Sequence, residues 1–418
     1  MQAEQPDTER RAVQTTLSRD QALAYLDDQG LRSCARANLL DSGDDIRFSH
    51  QLLQEYFTAR MMADKLAHGQ LDAGQLWPKD RFWQVSGWEE ATLLLAGLYP
   101  EDCSPVLRWL LPVQPELLAS CIQSTGLPYD DKLLDDVKAH WQPLWLDCEK
   151  MPQPEARASI ARAFALLGLD DRRGVGLNGQ GLPDIDWVQV PPGKVILEGI
   201  DKTFSVAHFY LARYPITNAQ FQVFVQAEDG YANPQWWAGL ATRHETPETP
   251  SWPEANHPRE TVSWYEAMAF CVWLSAKLGY AVTLPTEMQW QLAASGGNPE
   301  NTYPWGKAYQ SGYANINETL GNYGLHYLQR TTAVGLYPQG QSTQGILDLS
   351  GNVWEWCLNK YDDPADSSPA GEDPRSLRGG SWVFSQDIAR VGDRGDYRPD
   401  ARYDNLGFRV CCASPINH

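Results

Sequence analysis

Thiols are the residues best placed to do chemistry in this chain, and there are eight: Cys34, Cys103, Cys121, Cys148, Cys271, Cys357, Cys411 and Cys412. A soft-metal or redox site needs them paired at short spacing. Here no CxxC occurs and the spacing is irregular, which reads as small buried hydrophobes in a reducing compartment. Histidines offer little more. His50, His68 and His140 are too far apart to form the H-x-x-x-H spacing that puts two ligands on one helical face, and a lone His50 on a helix reads as structural. A phosphate-cradling G-x-x-x-x-G-K-[ST] loop is absent, because Gly193-Lys194 lacks both the earlier glycine and the following hydroxyl residue. The net charge is -19, from 53 acidic and 34 basic residues. General nucleic-acid binding requires clustered Lys and Arg against phosphates, so that class is excluded as an expectation. The opening MQAEQPDTERR is polar, and no apolar run is long enough to span a bilayer. The expectation is a cytoplasmic chain that uses neither membrane nor nucleic acid.

Two textures divide the elements that must position these residues. With 418 residues, two domains are expected. Residues 1–169 read as helical, since apolar residues recur at three- and four-residue spacing in LLQEYFTARMMADKL (52–66), WEEATLLLAGLY (88–99) and ARASIARAFALLGL (156–169). DDRRGVGLNGQGLPDID is rich in Gly and polar residues, which reads as a linker over 170–185. From 186 to 418 the chain has short apolar stretches, many turn residues and most of the tryptophans. Two helices are predicted there, from N-cap Thr217 to about 227 and from N-cap Ser263 to Gly279. The fold class expected is α+β, with much irregular loop in the second domain.

The segment IRFSHQLLQEYFTAR (46–60) resembles the end of the winged-helix region of NACHT-type NTPases of the STAND class, and WEEATLLLAGL (88–98) resembles the helical segment after it. The resemblance implies the tail of a longer sensor, or a truncated relative. No nucleotide is expected in this chain, because the family's nucleotide site lies upstream of the motif.

A denser series follows: WVQVPPGKVILEG, FYLARYPITNAQFQVFVQA, HPRETVSWYEAMAFCVWLSAKLG, VTLPTEMQWQLAASGG, YPWG, ANIN, LDLSGNVWEWC, LRGGSW and NLGFRVC. Each piece has a physical reading. Thr286 after Pro285 starts a helix carrying Trp290; Gly351 and Asn352 make a turn before two indoles; Gly379 and Gly380 permit a tight bend. LGFRV alternates, with Leu406, Phe408 and Val410 on one strand face and Arg409 on the other. The order and spacing of these motifs resemble the formylglycine-generating enzyme family, a C-type-lectin-like fold, over about 230 residues. The family's enzymes oxidise a substrate cysteine with two copper-holding cysteines, the first three residues after the Ser of GGS and the second five further on. Those positions are Phe384 and Ala389 here. Neither supplies a thiolate, so the resemblance implies no copper and no formylglycine generation. The competing reading is a divergent metal-dependent oxidase of the formylglycine-generating or iron-dependent sulfoxide synthase type; a third is a module that only mediates assembly. The resemblance also implies a calcium site in some members, with Asn315 and the Ile316 carbonyl in one loop and Asn352 and Glu355 near another.

Residues 379–409 resemble the variable region of proteins diversified by retroelements, in which template adenines mutate. The resemblance makes Gly379, Gly380, Ser381, Trp382, Gln386, Arg390, Arg394, Pro399, Arg402, Gly407, Phe408 and Arg409 the scaffold. The variable set is then Val383, Phe384, Ser385, Asp387, Ile388, Asp393, Gly395, Asp396, Tyr397, Arg398, Ala401, Tyr403, Asp404 and Asn405. None is Lys, Gln, Glu, Met or Trp, the types that changing the first two bases of an Asn codon cannot produce. Large Tyr and Phe rings mixed with Gly, Ser and Asn suit a binding face. Its aspartates favour a basic or donor-rich partner. The function expected is non-catalytic recognition of a protein or surface ligand.

Overall fold

The computed structural model describes residues 16–42 and 45–415. The polar opening stretch lies outside them. Two compact units divide between Gln142 and Pro143.

In the first unit β1 (Thr16–Ser18), α1 (Arg19–Leu23), α2 (Asp28–Arg36), β2 (Leu40–Ser42) and β3 (Asp45–Phe48) precede a long helix, α3 (Gln51–Ala67). The strands form a small antiparallel sheet in the order β1-β3-β2. Then come α4 (Ala73–Leu76), α5 (Glu89–Gly97), α6 (Ser104–Leu110), α7 (Pro115–Thr125) and α8 (Leu133–Trp145), in which the division falls. The periodic segments at 52–66 and 88–99 are therefore helices as the spacing predicts. The Glu89 carboxylate accepts from the Ser86 and Gly87 amides at 2.8 Å each and from Trp77 Nε1 at 3.2 Å, fixing the start of α5 against a buried indole.

The second unit begins with α9 (Pro154–Leu167), which ends at a left-handed Gly168. The sequence reading placed this helix in the first domain; its contacts put it in the second unit. The stretch 170–185 is likewise not a loose linker. Gly174 N donates to Asp184 Oδ2 at 2.8 Å, and Gln220 Nε2 donates to the Gly174 and Asp184 carbonyls. Thr217 Oγ1 donates to the Val175 carbonyl at 2.7 Å. Gly and polar residues signal turns there, and the turns are packed onto the next helix.

Strands β4 (Trp187–Val190), β5 (Gly193–Ile196), β6 (Thr203–Val206) and β7 (Phe209–Ala212) lead to α10 (Asn218–Gln226) and α11 (Trp264–Leu278). After them come β8 (Val282–Thr283), α12 (Glu287–Ser295), β9 (Trp354–Lys360), β10 (Arg375–Arg378), β11 (Gly395–Tyr397), β12 (Leu406–Gly407) and β13 (Cys411–Cys412). One sheet runs β4-β7-β13-β8, another β11-β10-β9-β12, and β5 pairs with β6. All three helices start with capping boxes, Thr217 with Gln220, Ser263 with Glu266, and Thr286 with Gln289. The apolar faces of α10 and α11 meet in one aromatic core, where Phe221 stacks on Phe270 at 5.6 Å and Phe408 meets Phe270 edge-on at 5.5 Å, while α12 packs Trp290 and Leu292 into a second core cluster. Among the described residues no helix is long and apolar enough to cross a membrane.

The LGFRV segment departs from its prediction in one respect. Leu406, Phe408 and Val410 do share the core. However, the chain is not one strand. It leaves β9 after Gly407 and joins β7 and β8 at Cys411, and Arg409, between the two sheets, is wholly buried.

Candidate recognition surface

Residues 379–409 form a loop-rich segment whose floor is set by buried ion pairs. Arg409 Nε and Nη2 each donate to the Glu355 carboxylate at 2.6 Å, and Trp290 Nε1 donates to the same carboxylate at 2.8 Å. Arg394 binds Glu287 through Nε at 2.7 Å and Nη2 at 2.9 Å, with Asn359 Nδ2 also donating to Glu287 at 2.9 Å. Arg402 Nε donates to Glu266 Oε2 at 2.8 Å, while Tyr231 Oη donates to Oε1 at 2.7 Å. A buried carboxylate is tolerable only when paired and hydrogen-bonded, and each of these is. Beside Glu266, burial first and then that carboxylate's charge push the Tyr231 phenol up, so it remains a donor.

Two glycines make the entry. Gly380 has φ +68°, and a Cβ there would lie 2.9 Å from the Ile388 carbonyl. Gly351 has φ +79°, and a Cβ there would collide with the Asn315 carbonyl. Asn352, at φ +67°, holds the turn by accepting from Thr332 N at 3.0 Å.

Above this floor exposure only partly divides the predicted scaffold from the variable positions: Gln386, Arg390, Arg394 and Arg402 of the scaffold are half-buried, as are most of the variable set, while Asp387, Asp396, Tyr397, Arg398 and Tyr403 are exposed. Gly379, Gly380, Ser381, Trp382, Pro399, Gly407, Phe408 and Arg409 are buried, whereas every position in the predicted variable set keeps some exposure. Trp354 ties several of them together: Phe384 meets it edge-on at 6.1 Å, a Cβ on Gly395 would lie 3.3 Å from it, and its amide donates to the Asn405 carbonyl at 2.8 Å. Tyr397 and Tyr403 pair at 5.0 Å and are 37% and 48% exposed. Trp382 Nε1 donates to the Asp404 carbonyl at 3.4 Å, and Asn405 Nδ2 to Ser381 Oγ at 3.0 Å, closing the two ends of the segment on each other.

The predicted set does not all converge. Asp387 and Asp393 lie about Arg390, which donates to the Asp387 carbonyl at 2.7 Å and pairs with Asp393 at 3.5 Å. Arg390 also lines an open cleft of about 880 Å³ with Glu198 and Ile200. Burial pushes the Asp393 carboxyl up to about 6, with Arg390 opposing. Sequence reasoning missed three contributors. Tyr327 stacks on Trp382 at 6.4 Å, Trp252 meets Trp382 edge-on at 6.1 Å, and Arg330 covers Trp252 at 4.6 Å. Both Trp252 and Tyr327 sit in irregular loops, where no periodicity marks them.

The family's two catalytic thiol positions hold a half-buried Phe384 ring and a wholly buried Ala389 whose carbonyl accepts from Ser350 Oγ at 2.7 Å. Among the cysteines that are present, burial raises the thiols of Cys271, Cys357 and Cys411, and raises that of Cys412 to about 12. Buried neutral thiols of this kind are poor nucleophiles.

The four residues expected to hold calcium do not fit one ligand set. Glu355 is neutralised by Arg409 and accepts a further hydrogen bond from Trp290. Asn352 Oδ1 accepts from Thr332 N and from Asn315 Nδ2 at 3.1 Å, and the Asn315 carbonyl accepts from Asn352 N at 2.8 Å. Asn315 Oδ1 is buried without a hydrogen-bond partner and the Ile316 carbonyl lies outside these bonds, two oxygens where a hard cation needs several. Among the described residues no three His, Cys, Asp or Glu side chains gather as a metal set.

A helix-flanked, loop-rich unit with these short twisted sheets is a C-type-lectin-like fold. Residues 180–414 match the sulfatase-modifying factor enzyme 1-like domain, and the chain belongs to that family. It is 31% identical over 283 residues to the inactive C-alpha-formylglycine-generating enzyme 2 of Mus musculus, covering 55% of this chain and 86% of the relative. It is 30% identical over 269 residues to the formylglycine-generating enzyme of Thermomonospora curvata, covering 52% and 86%. Among solved structures, Treponema denticola variable protein 1 matches 55% of this chain and 95% of its own at 22% identity, with a TM-score of 0.41.

Proposed function

We propose that the second unit is a non-catalytic recognition module that presents the exposed positions between Val383 and Asn405 to a protein or surface ligand. The observation that carries this reading is the division within residues 379–409 between Arg394, Arg402 and Arg409, ion-paired to buried carboxylates, and Asp387, Asp396, Tyr397, Arg398 and Tyr403, which are exposed. Side chains with no part in the floor can change without unfolding it, which is what a diversified surface needs. The occupants of the two thiol positions, Phe384 and Ala389, add support, as does the similarity to a relative named inactive. Retroelement diversification is the finer part of the proposal and rests on the residue types at the variable positions.

The first unit, on this reading, is the end of a STAND-type sensor whose signalling the ligand gates. It rests on the segment 46–60, which spans β3 and the first turns of α3. The second reading, a divergent metal-dependent oxidase, has the Thermomonospora curvata relative in its favour. It would require an activated group other than the two absent thiols.

Sequencing the last codons of the gene across many related cells tests the proposal. Substitutions should cluster at Val383 through Asn405, follow adenine positions and spare Trp382, Arg394 and Gly407. Uniform codons, or variation spread equally over the scaffold, would remove diversification and leave a binder of fixed specificity.

A further inference from the structure

The open cleft of about 880 Å³ beside Arg390 is bordered by a strand that the recognition reading does not use. Lys194, Val195 and Ile196 of β5 all line it, whereas of β6 only Thr203 does, next to the turn. β5 therefore lies between β6 and the cleft. The hairpin is a sheet of two strands, so the other edge of β5 carries N–H and C=O groups that β6 does not take. Among the described residues one hydrogen-bond partner reaches the β5 backbone from outside the hairpin: Gln291 Nε2 donates to the Ile196 carbonyl at 2.9 Å. Gln291 also lines the cleft, and its Oε1 accepts from the wholly buried Arg378. Its amide group is thereby held facing β5, with the second of its two N–H groups uncommitted. The rest of the lining includes the small residues Ser295, Gly297, Thr302 and Gly392, and the Val391 amide donates to the Thr302 carbonyl at 2.8 Å, fixing the two loops that supply them to each other.

We infer that this cleft takes an extended segment of a partner protein, which adds a third strand to the hairpin along the edge of β5. What complements a row of alternating N–H and C=O groups is the backbone of another strand. The edge is recessed, because the loops that carry Gly297, Thr302 and Gly392 bound the same cleft. A single extended chain can enter such a cleft. A second copy of this protein cannot pair edge to edge with the first, since each β5 would be shielded by the other's loops. The backbone supplies the hydrogen bonds, and Ile196, 63% exposed on the same strand, supplies apolar contact to side chains at alternate positions of the partner. The inference stands apart from the recognition reading, as neither Tyr397 nor Tyr403 lines the cleft.

The test selects random linear peptides displayed on phage against the full chain and discards those that also bind the Gly392→Leu variant. A Cβ on Gly392 would meet only the Glu198 carboxylate, at 3.1 Å and at the end of a flexible side chain, so this change fills the cleft while leaving the fold in place. A selected peptide is then resynthesised with an N-methyl group at each residue in turn, and its binding to the parent chain is read by fluorescence anisotropy. Methylation at every second residue should weaken binding about tenfold, the scale of an unmade backbone hydrogen bond, and by about twofold or less at the residues between. The double change Tyr397→Ala with Tyr403→Ala should leave binding unchanged. Recovery of no peptide that Gly392→Leu loses would overturn the inference. So would methyl sensitivity without a two-residue period, which marks recognition by side chains alone, and so would loss of binding on the tyrosine change, which marks the recognition face instead.

Discussion

Within residues 379–409, Arg394, Arg402 and Arg409 lie against carboxylates that are wholly buried, while Asp396, Tyr397 and Tyr403 stand in solvent a few residues away. The two groups share one loop and obey opposite constraints. A buried guanidinium–carboxylate pair has a single acceptable geometry, so it pins the backbone without help from its neighbours. An exposed tyrosine on the same backbone pays little to be exchanged. The comparison teaches that a loop with few regular hydrogen bonds can be rigid where ion pairs cross it and permissive between them.

Breaking the floor gives the largest effects. Arg409→Met should destabilise the protein by about 3–5 kcal/mol, because Glu355 is left charged and buried. Adding Glu355→Leu to it should recover much of that loss, and chemical denaturation of the two variants measures the difference. Arg402→Gln should cost about 2–3 kcal/mol, since Glu266 keeps Tyr231 and the Ser263 amide as donors. If Arg402→Gln costs as much as Arg409→Met, the floor is a single cooperative network rather than separate pins.

A smaller effect separates the floor from the loop beside it. The hydrogen bond from His326 to Glu155 holds that imidazole above its ordinary range, with burial opposing. Burial raises the Glu155 carboxyl, and the His326 bond with its other partners lowers it on balance. The pair's stabilisation is therefore present between the two folded values. It is lost as pH rises through that of His326 and as pH falls through that of Glu155. Glu155→Gln should flatten the pH dependence of thermal unfolding around neutrality, an effect of about 1 kcal/mol or less. Asp393 acts in the other sense. Its raised carboxyl favours the fold at low pH, and that advantage is lost as pH rises from 3.8 to about 6, so Asp393→Asn should raise the melting temperature above pH 6 and not below pH 4.

The smallest changes in stability should come from the face itself. Tyr397→Ser and Asp404→Ser should each stay within about 0.5 kcal/mol of the parent.

Local features of the fold were legible in the sequence because their causes are local. Thr217, Ser263 and Thr286 each precede a Gln or Glu by three residues, and each starts a helix. The alternation of Leu406, Phe408 and Val410 correctly marked the core side. What escaped reading depends on distant partners. Arg402 and Glu266 are 136 residues apart, and Arg394 and Glu287 are 107 apart, so nothing nearby announces either pair. The same ignorance of Arg409 made Glu355 look available to a cation. Gly-rich spacing over 170–185 looked like a linker, because turns packed through backbone carbonyls to Gln220 carry the same composition as loose ones. The proposed variable positions were named through family resemblance, whereas the pairing of Tyr397 with Tyr403 and of Asp393 with Arg390 needed coordinates.

The most direct measurement of the central claim is a saturation substitution scan over residues 379–409 that records folding by protease resistance of the displayed full chain. The account predicts broad tolerance at the exposed positions, Asp396, Tyr397 and Tyr403 included, and sharp intolerance at Gly380, Arg394, Arg402 and Arg409. Equal intolerance at both groups would contradict it, because a surface whose side chains hold the fold together cannot be free to vary for recognition.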